Sequence, residues 1–148
     1  LTCYRRLELP TFHIRHIAGD PDAPFFAPGT AGSELHESIR PLDGEPVIPK
    51  QFPNSFRETD LHNRLGAVGI DQLVICGAMS HMCIDATTRA AADLGFSCVL
   101  IHDACATRNL EFEGKTIKAA DVHASFMAAL GSAYAQVASC SDFLSGAA

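Results

Sequence analysis

The sequence has few positive charges and no run of them. Its 148 residues include 11 lysines and arginines against 17 aspartates and glutamates, which gives a formal net charge of −6 at pH 7. Proteins that bind nucleic acids or anionic membranes present a basic patch to those partners. The composition therefore predicts neither kind of partner for this chain.

Long hydrophobic runs are missing as well. No apolar stretch approaches the roughly 20 residues that a membrane-spanning helix needs, and the first six residues, LTCYRR, lack the apolar core of a secretory signal. Hydrophobic residues nevertheless make up 47% of the chain and charged residues 19%. This composition is typical of a globular protein with a sizeable core, and we expect one domain over residues 1–148.

The six cysteines form no close Cys-x-x-Cys pair. Such pairs mark zinc ribbons, and regularly spaced cysteines mark the disulfide frameworks of small secreted domains. Two of the cysteines, Cys76 and Cys98, fall inside apolar runs that are typical of buried strands. This usage predicts a cytoplasmic protein with free thiols.

Short apolar runs alternate with longer amphipathic runs along the chain. The short runs predict strands at residues 11–17, 47–48, 73–76, 98–101 and 135–138. The longer runs predict helices at residues 57–67, 82–94 and 118–130, each followed by a glycine or ended near one. Strands that are apolar on both faces and separated by helices indicate a parallel sheet covered on two sides. The predicted fold class is α/β, a three-layer α/β/α arrangement around a Rossmann-like parallel sheet.

One long segment, residues 18–46, interrupts this alternation. It is rich in proline, glycine and acidic residues, and it contains the pair Phe25 and Phe26. A loop of this length in a compact domain is usually functional or disordered. Two interpretations stay open: a surface excursion, or a lid or subunit contact that closes over a pocket.

Cys83 follows one predicted strand, residues 73–76, and lies at the start of the predicted helix 82–94. The first turn of a helix has unpaired N–H groups and the positive end of the helix dipole, which favour the thiolate form of a cysteine. Ligands of open α/β sheets bind outside the carboxyl ends of the strands, which is where Cys83 falls. The position predicts a nucleophile; the alternative is a small buried hydrophobic residue.

A thiolate nucleophile needs a cationic neighbour and donors for a developing oxyanion. Lys50 is the candidate cation, because it follows the predicted strand 47–48 and so belongs to the same edge of the sheet. The alternative for Lys50 is a solvated surface charge. The backbone N–H groups of the turn at residues 77–83 are candidate oxyanion donors, and the alternative is an ordinary connecting loop.

Two segments resemble the isochorismatase-like cysteine hydrolases, a family that includes nicotinamidases. Residues 49–61, PKQFPNSFRETDL, are similar to the lysine motif of that family. Residues 74–96, VICGAMSHMCIDATTRAAADLGF, are similar to its nucleophile strand, loop and helix. Asp103 and Ala104, after the next predicted strand, also match. The similarity extends over nearly the whole chain, with the motifs in the family's order.

The resemblance implies a role for each matched residue. Cys83 corresponds to the nucleophile and Lys50 to its cationic partner, in a fold built on a six-stranded parallel sheet flanked by helices. The family places a non-proline cis peptide shortly before the cysteine, which corresponds here to the bond between Ala78 and Met79. That geometry would aim the N–H of Met79, together with the N–H of Cys83, at the oxyanion.

The sequence departs from the family at its start. Family members carry a catalytic aspartate at the end of their first strand, and no matching strand is present here. Residues 1–7 then correspond to the tail of the first crossover helix, and residues 11–17 to the second strand. Since the chain also begins with Leu1, we expect the natural protein to have an upstream strand-helix segment of about 30 residues that carries this aspartate.

The resemblance implies a hydrolase that cleaves the C–N bond of a small amide through a thioester on Cys83. One alternative is hydrolysis of a vinyl ether, as in true isochorismatases; this reaction needs no thiol, so Cys83 counts against it. Another alternative is a non-catalytic homologue that serves as an assembly subunit. The resemblance also implies a homo-oligomer, in which Phe25 and Phe26 would pack on a neighbour.

The histidines do not predict a metal site. His13 and His16 are three residues apart on a predicted strand, so their side chains point to opposite faces and make poor joint ligands. We therefore predict no metal and no other cofactor. His81, two residues before Cys83, is a candidate for the pocket wall together with Phe25 and Phe26. A structural turn histidine is the alternative, and a Cys–His dyad is the alternative to the lysine arrangement.

Overall fold

The structure is a computed structural model that describes residues 1–146. Its helices are α1 (Thr2–Arg6), α2 (Leu61–Ala67), α3 (Asp85–Asp93), α4 (Ala119–Gly131) and α5 (Cys140–Ser145). Its strands are β1 (His13–His16), β2 (Val47–Lys50), β3 (Gln72–Ala78), β4 (Ser97–Ala106), β5 (Leu110–Phe112), β6 (Lys115–Ile117) and β7 (Gln136–Ala138). Among residues 1–146, no helix combines the length and apolarity that crossing a membrane requires.

The chain forms two compact units, Leu1–Leu61 and His62–Ala148. In the first unit, β1 and β2 pair in parallel, with His16 opposite Lys50. Strand β2 continues through Pro49 to Lys50, so it is two residues longer than predicted and Lys50 is its last residue. The expectation of one domain over residues 1–148 stays a prediction.

Glu45 fixes the end of the long segment between β1 and β2. Its carboxylate accepts two hydrogen bonds from the Arg5 guanidinium, both 2.7 Å long, and lies 2.8 Å from Nε2 of His13. The backbone N–H of Leu42 donates to the same carboxylate at 2.9 Å. The hydrogen bonds from Arg5 hold the pKa of Glu45 well below its usual range. The segment itself contains two short 3₁₀ turns, Ala31–Ser33 and Glu37–Ile39.

The second unit is built on a parallel three-stranded sheet with the order β3-β4-β7. Strand β4 lies in the middle, and its apolar residues 98–101 are buried. Leu100 joins Ile84, Met127 and Leu130 in a core between the sheet and the helical segments. A strand that is apolar on both faces therefore packs on both faces, as the sequence predicts. The α/β class with parallel sheets is confirmed.

An antiparallel hairpin, β5-β6, follows β4 and was not expected from the sequence. Its two-residue turn, Glu113 and Gly114, has positive φ at both positions, 49° and 74°. This is the geometry of the tight turns that join antiparallel strands. The usual sequence signal for such a turn is Asn-Gly or Asp-Gly, and Glu-Gly does not carry it.

Helix α2 begins at Leu61, four residues later than the predicted start at residue 57. Glu58 has a left-handed φ of 56°, which interrupts a right-handed helix. The preceding turn is held by side chains instead, because Asn54 accepts from the N–H of Phe56 and Thr59 donates to the carbonyl of Ser55. Local hydrogen bonds of this kind compete with helix formation.

Candidate active site

The turn from β3 into α3 contains Cys83. Strand β3 ends at Ala78, the peptide bond between Ala78 and Met79 is cis, and a π-helical turn, Ser80–Ile84, leads directly into α3. The carbonyl of Met79 accepts from the N–H of Ile84 at 3.2 Å, the wide spacing of a π turn. Cys83 is partly buried and lies near the start of a helical segment that begins three residues before it. The helix therefore starts two residues earlier than predicted, and Cys83 keeps its place at the amino-terminal end.

The two residues that follow Met79 are hydrogen-bonded to neighbouring elements. The Ser80 hydroxyl lies 2.8 Å from Nδ1 of His123 in α4 and 3.4 Å from the carbonyl oxygen of Ala106, the last residue of β4. Nδ1 of His81 lies 2.6 Å from the hydroxyl of Thr107. Ser80 is completely buried. The side chains of Ser80 and His81 thus attach the turn to the carboxyl end of β4 and to α4.

His81 precedes Cys83 by two residues and is half-buried. Burial, with a further contribution from the charge of Arg108, lowers the pKa of the His81 imidazole from 6.5. The ring meets Phe126 of α4 edge to face, with 6.2 Å between the centroids. Together with the hydrogen bond to Thr107, these contacts fit a structural turn histidine, which is one of the two roles predicted for His81; the other is a residue of the pocket wall.

Lys50 is buried, with 5% of its surface exposed. The alternative of a solvated surface lysine is therefore wrong. Its ammonium donates to Nδ1 of His16 at 3.0 Å and to the carbonyl oxygen of Phe52 at 2.9 Å. Because an ammonium has no acceptor, His16 must accept through Nδ1 and carry its own proton on Nε2. Burial, and secondarily the charge of Lys50, lower the pKa of His16.

His16 has no functional role in the predictions from the sequence, yet this residue is a direct partner of Lys50. The register of β1 on β2 would have indicated this pairing, because it places His16 opposite Lys50. Phe26 packs edge to face on His16, with 5.2 Å between the centroids, and Phe25 packs on Phe26 at 5.8 Å. Phe25 stays 60% exposed. The aromatic pair of the long segment therefore adjoins the partner of Lys50.

Two other cysteines are poor candidates for the nucleophile. Cys98 and Cys105 both lie in β4, and burial raises the pKa of each thiol, for Cys105 to about 11. A thiol with such a pKa is protonated at neutral pH and therefore unreactive.

The predicted site residues are divided between the two compact units. Ala78, Met79, His81 and Cys83 lie in His62–Ala148, and Lys50, Phe25 and Phe26 lie in Leu1–Leu61. The approach of Lys50 to Cys83 stays a prediction.

No group of three or more histidine, cysteine or acidic side chains within residues 1–146 is placed to hold a metal ion.

Comparison with protein families identifies the class of protein that carries this turn. Residues 1–133 match the family model of the isochorismatase domain. The chain belongs to the isochorismatase family, which confirms the resemblance read from the two motifs.

Several relatives match nearly the whole chain. The uncharacterized isochorismatase family protein YddQ of Bacillus subtilis is 49% identical over 144 residues, which cover 97% of this chain and 80% of that protein. A crystal structure from Oleispira antarctica, assigned to the isochorismatase hydrolases, superimposes with a TM-score of 0.94 at 52% identity, covering 98% of this chain and 76% of the other. An isochorismatase from Pseudomonas putida KT2440 gives 0.90 at 37% identity, covering 95% and 72%.

More distant relatives carry names of activities. The chain is 43% identical over 84 residues to streptothricin hydrolase of Streptomyces noursei, spanning 57% of this chain and 30% of that protein. It is 32% identical over 99 residues to ureidoacrylate amidohydrolase RutB of Variovorax paradoxus, spanning 67% and 38%. N-carbamoylsarcosine amidase from Thermoplasma acidophilum superimposes with a TM-score of 0.77 at 25% identity, covering 93% and 76%. The family is one of hydrolases, and some of its members are amidases.

The contact between Lys50 and His16 makes a testable prediction. In Lys50→Met the positive charge beside the imidazole is lost, so the pKa of His16 rises toward 6.5, as measured by NMR titration of the imidazole carbons. Arg40→Met, which removes an exposed cation of the same unit, should leave that pKa unchanged. An unchanged pKa in Lys50→Met would contradict the contact.

The lowered pKa of His16 also predicts how stability depends on pH. In the wild type, the unfolded chain protonates His16 at a higher pH than the folded chain does, so the free energy of unfolding should fall as the pH drops below about 6.5.

Proposed function

We propose that the protein is a cysteine-dependent amidase that hydrolyses a C–N bond of a small molecule through a thioester on Cys83. The observation that carries this proposal is a cysteine near the amino-terminal end of a helical segment, directly beyond the carboxyl end of β3. The membership in a family of hydrolases that includes amidases supports the same reaction class.

The reaction has two steps. The Cys83 thiolate attacks the carbonyl carbon of the amide, a C–S bond forms, and the carbonyl oxygen becomes an oxyanion that accepts hydrogen bonds from the N–H groups of Met79 and Cys83. The C–N bond then breaks, the amine takes a proton and leaves, and water hydrolyses the thioester to the acid and the free thiol. Each oxyanion donor of this kind is worth about 3 kcal/mol in the transition state. The resemblance assigns the proton transfer to an aspartate of the family's first strand, which is not among residues 1–148.

Lys50 is the cationic partner of the thiolate in this proposal. A buried ammonium is costly unless its protons are bound by acceptors, and His16 and Phe52 provide two of them. These acceptors are neutral, since the lowered pKa of His16 disfavours its charged form, so they do not cancel the positive charge. The charge is therefore held at a fixed place within the first unit, and its proposed task is to favour the thiolate of Cys83 over the thiol.

Vinyl ether hydrolysis is the second candidate, and the isochorismatase domain match is the observation that favours it. In this reaction the vinyl group is protonated, water adds to the carbon that bears the ether oxygen, and the C–O bond then breaks to release an alcohol and a carbonyl compound, so Cys83 is not used. A non-catalytic assembly subunit is the third reading. We further propose that the protein is cytoplasmic and forms a homo-oligomer, in which the exposed ring of Phe25 meets a neighbouring copy.

The role of Cys83 is tested by Cys83→Ala on a panel of small carboxamides and ureido acids. We expect turnover to fall by at least about 1,000-fold, because the nucleophile is lost, and the melting temperature to stay within about 2 °C of the wild type, since the side chain is small and only partly buried. Cys140→Ala, at an exposed cysteine of α5, is the matched control and should keep full activity. Retained amide turnover in Cys83→Ala would refute the assignment, and cleavage of isochorismate by that variant would favour vinyl ether hydrolysis.

The choice between Lys50 and His81 as the partner of the thiolate is tested by alkylation. The rate at which iodoacetamide modifies Cys83 at pH 7, followed by mass spectrometry of the peptide, reports the fraction of thiolate. We expect about a tenfold loss of rate in Lys50→Met and less than about a twofold change in His81→Ala. The reverse order of effects would replace the lysine arrangement by a Cys–His dyad.

A further inference from the structure

Ser80 belongs to the turn that contains Cys83, and its side chain contacts two neighbouring elements. Its side chain is completely buried, and its hydroxyl is shared between Nδ1 of His123 and the carbonyl oxygen of Ala106. The contact with His123 is short, at 2.8 Å, whereas the contact with Ala106 is 3.4 Å long. A hydroxyl donates only one hydrogen bond and the Ala106 carbonyl can only accept, so both contacts are satisfied together when Nδ1 of His123 carries the proton and donates to the Ser80 oxygen. His123 is thus the main partner of this buried hydroxyl.

Helix α4 carries His123 and packs against the π turn Ser80–Ile84. The proposed mechanism gives His123 no chemical step. Its contact with Ser80 nevertheless connects α4 to the residue that directly follows Met79. Because one planar peptide unit links Met79 to Ser80, a restraint on Ser80 also limits the positions that Met79 can take.

We propose that His123 is a positioning residue for the oxyanion site: through its hydrogen bond to Ser80 it fixes the direction of the Met79 N–H. This inference rests on the proposed function, because the Met79 N–H has a catalytic task only in a reaction that develops an oxyanion. Oxyanion donors act by being pre-organised, so that no reorganisation is needed as the charge forms. A misplacement of about 1 Å can cost up to about 100-fold in rate.

The hydrogen bond of His81 to Thr107 holds the next residue of the turn independently of His123. Loss of the His123 contact should therefore loosen the turn without unfolding it. The expected consequence is a partial loss of oxyanion stabilisation while the thiol itself stays reactive.

Two reactions of Cys83 distinguish a loss of oxyanion stabilisation from a loss of thiol reactivity. Attack on p-nitrophenyl acetate forms a C–S bond, passes through an oxyanion and breaks the ester C–O bond, which releases p-nitrophenolate. Alkylation by iodoacetamide forms a C–S bond and expels iodide without any oxyanion. Neither leaving group needs a proton, so neither rate depends on a proton carrier. The acylation rate is corrected with Cys83→Ala, and alkylation is followed on the Cys83 peptide by mass spectrometry.

We expect His123→Phe to lower the acylation rate about tenfold and to change the alkylation rate by less than about twofold. His123→Asn should restore most of the acylation rate, because its amide reaches the position of Nδ1, whereas His123→Gln, which reaches toward Nε2, should not. In a Ser80→Ala background, His123→Phe should have no further effect. Ser125→Ala is the matched control on α4, since its hydroxyl donates to a carbonyl of its own helix.

Equal losses in acylation and alkylation, or no loss in either, would overturn the positioning role. If His123→Phe does not fold, Ser80→Ala removes the same hydrogen bond from the other side and should show the same selective loss. Absence of any Cys83-dependent release of p-nitrophenolate by the wild type is a different result: it would contradict the proposed nucleophile, and the role of His123 would fall with it.

Discussion

Hydrogen bonds from Ser80 and His81 hold the turn between β3 and α3 on the end of β4 and on α4. The rest of the site depends on this attachment. It fixes the position of Cys83 in the helical segment that begins at Ser80, and in the proposed mechanism it also sets the direction of the Met79 N–H. Both properties are needed together, because a reactive thiolate gains little in amide hydrolysis if the oxyanion has no donors. The buried core of the second unit supports this arrangement, because it packs Ile84, the last residue of the π turn, with Leu100, Met127 and Leu130.

The first unit provides a charge in a prepared environment. Lys50 is buried at the end of β2, and its ammonium is bound by His16, which pairs with it across the parallel ladder. The same sheet is fixed at its other end by Glu45, whose carboxylate binds Arg5 and His13. Two hydrogen bonds thus hold the ammonium of Lys50 in place although a lysine side chain is flexible, and this is the charge that the proposed mechanism uses.

The sequence predicted the features that depend on local pattern. Apolar runs located β3 and β4, and the combination of strand, turn and helix located Cys83 at its structural position. The predictions from the sequence failed where the structure depends on particular contacts. The left-handed Glu58 delays α2, the Glu113-Gly114 turn forms a hairpin without the usual signal, and β2 continues through Pro49. The pairing of His16 with Lys50, and of Ser80 with His123, joins residues 34 and 43 positions apart, and no periodicity of a single chain reveals such pairs.

The most direct test of Cys83 as the nucleophile is the mass of the protein during turnover. The protein is mixed with each member of a carboxamide panel, quenched in acid within milliseconds to seconds, and its intact and peptide masses are measured. We predict that a substrate produces a mass increase equal to its acyl group, located on the peptide that contains Cys83. Turnover of an amide without any acyl adduct on Cys83, with the adduct on another residue, would contradict the account.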